Sequence, residues 1–66
     1  MSDELNSEPT RELLDLEAHH FLSLATLYYS RGKIQEAIDL LELSKQKNPN
    51  ISKTRFMLGK IAYERG

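Results

Sequence analysis

Apolar residues recur at helical spacing through most of the chain. Phe21, Leu24, Ala25 and Tyr28 fall at i, i+3, i+4 and i+7, which places them in one stripe on a helix. Nothing between Thr10 and Arg31 breaks that pattern. Gly32 follows the last periodic residue with Arg31 just before it, the signature of a helix C-terminus whose next residue takes a positive φ. Upstream, Ser7-Glu8-Pro9-Thr10 reads as a helix start, because proline is tolerated in the first turn and a serine or threonine hydroxyl can cap orphan N–H groups. A second run carries Ile34, Ala37, Ile38 and Leu41 and stops at Asn48-Pro49-Asn50, where proline cannot continue a helix and restricts the residue before it. A third starts at Ser52 or Thr54, carries Leu58, Ile61 and Ala62, and ends at Arg65-Gly66. No stretch sustains period-two alternation. The pattern predicts an all-α chain with helices over residues 10–31, 34–47 and 53–65. The short links make the first two antiparallel neighbours. Residues 1–9 read as a flexible acidic tail, since they are too polar to offset their own ordering entropy by burial.

The chain also matches itself. Leu24-Ala25-Thr26-Leu27-Tyr28-Tyr29-Ser30-Arg31-Gly32 recurs 34 positions later as Leu58-Gly59-Lys60-Ile61-Ala62-Tyr63-Glu64-Arg65-Gly66. Leucine, tyrosine, arginine and glycine are identical, the second residue stays small, and Leu27 is answered by Ile61. A fixed period of this length marks stacked units, each too small to bury its own apolar face.

In order, these residues resemble a tetratricopeptide repeat, whose pattern runs W-x2-L-G-x2-Y, then A-x3-F, then P. Phe21 takes the tryptophan slot, Leu24 and Ala25 the Leu-Gly pair, and Tyr28 the tyrosine. Gly32 stands at the turn, with Ala37, Leu41 in the phenylalanine slot, and Pro49 at the end. The resemblance covers residues 18–51 as one full repeat and 52–66 as the first helix of another, within a helical domain of residues 10–66. It departs from the family in the second unit, where Arg55 holds the tryptophan slot and Ala62 the tyrosine slot, and at Ser44, where alanine is usual. It implies an antiparallel helical hairpin plus a third helix, an α-solenoid fragment. The first helix runs about two turns longer than the family's. Leu13, Leu14 and Leu16 in that extension either pad the core or cover a surface that a neighbouring repeat would cover.

Composition narrows the chemistry. With 66 residues the chain makes one small domain, which leaves roughly 40% of its unfolded surface exposed when folded. It has no cysteine, hence no disulfide and no thiolate metal site. No apolar run is long enough to span a membrane, and the start lacks the basic and apolar segments of a signal peptide. The expectation is a cytoplasmic protein without a membrane role. The net charge of −1 conceals an asymmetry. Residues 1–17 set Asp3, Glu4, Glu8, Glu12, Asp15 and Glu17 against Arg11, a net of −5, while residues 45–66 set Lys45, Lys47, Lys53, Arg55, Lys60 and Arg65 against Glu64, a net of +5. These ends either pair head to tail between molecules or are solvated independently. Bulk nucleic-acid binding is disfavoured without a net positive chain, although the basic tail alone keeps it open. His19 and His20 are adjacent and point about 100° apart on a helix, so they do not share an ion readily. No Ser/His/Asp set, phosphate loop or isolated carboxylate pair points to catalysis. No enzyme activity, cofactor or metal is expected.

What remains is a surface. The resemblance implies a groove lined by the first helix of each repeat: His19, Leu22, Thr26 and Tyr29, then Lys53, Phe56, Lys60 and Tyr63. Each set has the spacing i, i+3, i+7, i+10, and the two sets lie 34 residues apart. Leu22 and Phe56 also fit as ordinary packing residues. The family's carboxylate clamp is not matched, since Leu22, Ser23 and Thr26 occupy its positions. The implied function is a non-catalytic module holding a peptide or helix of a partner protein. The alternative is an assembly unit, self-associating as a homodimer or belonging to a longer array, because Phe56, Met57, Leu58, Ile61 and Tyr63 lack a following helix to cover them.

Overall fold

The computed structural model describes residues 8–66 and consists of three helices: α1 (Glu8–Ser30), α2 (Ile34–Lys47) and α3 (Ser52–Arg65). Among the described residues there is no strand, and no helix is long and apolar enough to cross a membrane. Residues 1–7 of the expected tail lie outside the described residues. Glu8 and Pro9, expected in that tail, instead form the first turn of α1, as the proline at a helix start allows.

The α1–α2 turn is built by Gly32, whose φ is +80°. The Gly32 N–H donates to the Tyr29 carbonyl at 3.0 Å, and the Lys33 N–H reaches back to Tyr28 at 2.9 Å. That pair of bonds closes the helix end and needs a left-handed residue between them. The second turn is held by a side chain: the Asn50 N–H donates to Asn48 Oδ1 at 3.0 Å, an asparagine turn of the kind expected beside proline. α3 starts differently from expectation. Its N-cap is Ile51, without a side-chain cap. Ser52 is the first helical residue, and Thr54 is turned inward, 1% exposed.

Side-chain pairs fix the helix directions. Ser44 meets Ala18, and Asn48 meets Asp15, so α2 runs antiparallel to α1. Ser44 also meets Thr54, which continues the antiparallel sense into α3. Between α1 and α3 the pairs are Thr26 with Met57 and Tyr29 with Glu64, separations of 31 and 35 residues. Both numbers rise together, so those helices run parallel, offset by about one period of the self-match.

The core is one cluster of Leu22, Ala25, Leu41, Met57 and Ile61. Ala18, Ala25, Ala37 and Leu41 are fully buried, and the small residues let α1 and α2 approach closely. The burial corrects the expected stripes. On α1 the most covered line is Ala18, Leu22 and Ala25, whereas Phe21, Leu24 and Tyr28 are half-buried. α1 is packed from two sides, by α2 and by α3, so its deepest line lies between the two contacts. On α3 the covered line is Thr54, Met57 and Ile61; Leu58 is half-buried and Ala62 exposed. Met57 and Ile61, expected to lack cover, are enclosed by α1 and α2. In the extension of α1, Leu13 and Leu16 are exposed and do not pad the core, while Leu14 is half-buried.

Candidate functional site

The parallel contact of α1 and α3 joins the two halves of the expected groove along one seam. Thr26 sits at its middle. Its hydroxyl lies 3.0 Å from the Leu22 carbonyl of its own helix and 3.6 Å from the Met57 sulfur of α3. One helical turn on, the Tyr29 hydroxyl donates to a Glu64 carboxylate oxygen at 2.6 Å. The Lys60 ammonium stands over the Tyr29 ring, 5.5 Å from its centroid, a cation–π contact. The Tyr29 phenol is held above its ordinary value, first by that hydrogen bond, then by desolvation, then by the negative charge of Glu64.

Five of the eight expected residues are exposed, and three are committed to the seam or the core. Leu22 is 7% exposed and belongs to the core cluster; this corrects its placement in the groove, because α3 covers that line of α1. Tyr29 is half-buried and packs against the core, so it is as much a strut between helices as a contact residue. Thr26 is half-buried beside it. His19 is exposed and its Nδ1 donates to the Asp15 carbonyl at 2.8 Å, within its own helix. Lys53, Phe56, Lys60 and Tyr63 all stand on the surface of α3. Phe56 and Tyr63 are 69% and 88% exposed, and at i, i+7 they share one side of the helix. Two aromatic rings at that exposure, flanked by two lysines, are unusual for an intramolecular packing face and chemically suited to an external one.

Sequence reasoning missed two members of the seam. By its sequence Glu64 is only a lone acid in a basic tail, yet it supplies the acceptor for Tyr29. Met57 is expected to lack cover, yet it meets the Thr26 hydroxyl across the seam. The signal for Glu64 was its separation of 35 residues from Tyr29, one more than the repeat, which faces the two residues across a parallel helix pair.

A second concavity lies on the other side of α3. Ile38 and Glu42 of α2, with Leu58, Ala62 and Arg65 of α3, line an open groove floored by Ile61. Among the described residues no group of three or more histidine, cysteine or acidic side chains gathers as a metal site would. No family model, curated protein or solved structure matches the chain.

Proposed function

We propose that this chain is a non-catalytic protein–protein interaction module of the tetratricopeptide type. The observation that carries the reading is the seam: the helices whose sequences match at a spacing of 34 lie side by side and parallel, tied through Tyr29, Lys60 and Glu64. That arrangement makes one continuous face from two repeat units. On it, Phe56 and Tyr63 are the anchors, since a few aromatic residues usually supply most of an interface's energy. Lys53 and Lys60 select acidic residues near the partner's apolar anchor. The partner is a protein segment, held as a helix or extended in the groove, and neither nucleic acid nor membrane. The cysteine-free composition suits a reducing, cytoplasmic setting.

The test is a peptide-display selection against the intact chain and against Phe56→Ala with Tyr63→Ala. Both positions are exposed, so the helical fold should persist. The reading expects peptides with an apolar anchor and flanking acids to be enriched on the wild type and lost on the double variant. Equal enrichment on both would remove the face from consideration.

A second reading, a self-assembling structural unit, is favoured by a different observation. Leu13 and Leu16 are 57% and 68% exposed on α1, and the α2–α3 groove is open.

A further inference from the structure

The two helices that match in sequence differ in what covers them. On α1, Leu22, Thr26 and Tyr29 form the line that meets α3. Leu22 shares a buried cluster with Met57 and Ile61, Thr26 meets the Met57 sulfur, and Tyr29 meets the Glu64 carboxylate. Their counterparts 34 positions on are Phe56, Lys60 and Tyr63, and all three are exposed. So α3 presents, uncovered, the equivalent of the α1 face that α3 itself covers.

The seam supplies the pattern that such a face accepts. On α3 the residues turned to α1 are Met57, Ile61 and Glu64, at i, i+4 and i+7, with Lys60 at i+3 over the Tyr29 ring. A helix bearing the same residue types can meet α3 as α3 meets α1. Its apolar side chains pack on Phe56 and the aliphatic stem of Lys60, its acid accepts from the Tyr63 hydroxyl, and its cation stands over the Tyr63 ring. Charge agrees with the parallel direction. Lys53 opens the same row and belongs to neither ion pair among the described residues. In a parallel helix the first turn, where acidic residues suit the helix dipole, falls beside it. The α1 of a second copy does not supply this helix: its counterparts of Met57, Ile61 and Glu64 are Ser23, Leu27 and Ser30, one apolar residue and no acid.

We propose that the Phe56/Tyr63 face of α3 takes one helix of another protein, parallel to α3, with apolar residues at i and i+4, a lysine or arginine at i+3 and an acid at i+7. The inference rests on the interaction-module reading and narrows it. The occupant is a helix and not an extended segment, its direction is fixed, and Tyr63 repeats toward the partner's acid the role that Tyr29 plays toward Glu64.

The probe is a designed alanine-rich helical peptide with methionine, lysine, isoleucine and glutamate at those four positions and an acid in its first turn. Fluorescence anisotropy reads its binding to the intact chain. Tyr63→Phe removes only the hydroxyl of an exposed ring, and glutamine in place of the peptide's i+7 glutamate removes the charged acceptor. Each change should weaken binding by roughly threefold to tenfold, the range for a solvated hydrogen bond to a charged group. Both together should weaken it no more than either alone. Phe56→Ala with Tyr63→Ala should abolish binding while circular dichroism shows the helices intact. Direction is read by cross-linking, since the chain has no cysteine of its own. Lys53→Cys should form a disulfide with a peptide carrying an N-terminal cysteine, and faster than with one carrying a C-terminal cysteine.

Additive losses from Tyr63→Phe and the glutamine peptide, or faster linking through the C-terminal cysteine, overturn the parallel-helix contact. So does self-association of the chain alone, read by sedimentation velocity, that Phe56→Ala with Tyr63→Ala abolishes, because the occupant is then a second copy. A helical peptide that fails to bind, where extended acidic peptides from the display selection bind and need Phe56 and Tyr63, overturns the helix and leaves the interaction module standing. If peptides of neither kind bind, both fall.

Discussion

The Tyr29 hydroxyl donates a 2.6 Å hydrogen bond to the Glu64 carboxylate, joining the last turn of α1 to the last turn of α3. The bond stabilises the protonated phenol, and the neighbouring negative charge opposes its ionisation, so Tyr29 titrates above its ordinary value of 10.0. A group whose folded value is raised stabilises the fold fully below its unfolded value and loses that contribution as pH rises through the folded one. The seam should therefore be insensitive to Tyr29 across neutral pH and weaken only in strongly alkaline solution. In an ultraviolet titration, a tyrosine step shifted upward should move back down on Glu64→Gln. A titration curve indifferent to that substitution would dissolve the link between the two residues.

The most buried polar contact joins all three helices. Ser44 Oγ donates to the Ala18 carbonyl at 2.8 Å and lies 3.1 Å from Thr54 Oγ1; the two side chains are 0% and 1% exposed. Removing one partner of a buried pair leaves the other unsatisfied, which costs about 1–3 kcal/mol, whereas replacing both with apolar groups of similar shape is nearly neutral. Ser44→Ala should lower stability by that amount. Adding Thr54→Val should recover part of it in the double variant. Denaturant melts of the four proteins measure the coupling, and strictly additive losses would mean that the hydroxyls do not depend on each other.

The glycines separate by conformation. Gly32 holds φ at +80°, where a Cβ is strained, so Gly32→Ala should destabilise by about 1–2 kcal/mol. Gly59 lies inside α3 with open space where a Cβ would stand, so Gly59→Ala should stabilise the monomer by about 1 kcal/mol. Thermal melts at low protein concentration compare them. Opposite signs are the expected result, and a destabilising Gly59→Ala would show that the glycine is needed within the single chain.

The contrast between those positions shows where sequence suffices. Gly32 and Asn48-Pro49 act through their own backbone, so both turns, and the three helices between them, are legible from local chemistry. Burial is a property of neighbours. The stripe of Phe21, Leu24, Ala25 and Tyr28 is correct for a helix packed from one direction, but α3 approaches α1 from a second direction and buries Leu22 instead. Ser44 looks like a departure from a small apolar slot, and its role emerges only when Thr54 of another helix is placed 3.1 Å away. On the candidate face, Phe56 and Tyr63 are exposed as a contact row requires. Glu64 escaped notice because its partner lies 35 residues away on a parallel helix, beyond any local pattern.

The far end of the hairpin supplies the last prediction. There the Asn48 side chain works in two directions: its Nδ2 donates to Asp15 Oδ1 at 2.7 Å, and its Oδ1 accepts the Asn50 N–H at 3.0 Å. It thus fixes the α2–α3 turn and ties that turn to α1. Beside it, the Lys47 ammonium lies 3.4 Å from a Glu17 carboxylate oxygen, with both side chains over a third exposed. The two links should differ in strength. A hydrogen bond to a charged group contributes about 1.5–3 kcal/mol when well enclosed; Asn48 is half-buried, which puts Asn48→Ala near the lower end of that range. The exposed ion pair is screened by solvent, so Lys47→Ala should change stability by about 0–1 kcal/mol and by less again in high salt. Urea melts at two salt concentrations resolve the two effects. Asn48→Ala should also loosen α3, because the turn that sets its direction loses its brace. Amide exchange should then quicken at the start of α3 more than in the middle of α2. If Lys47→Ala proved the more damaging of the two, the charges, and not the asparagine, would be holding this end of the stack together.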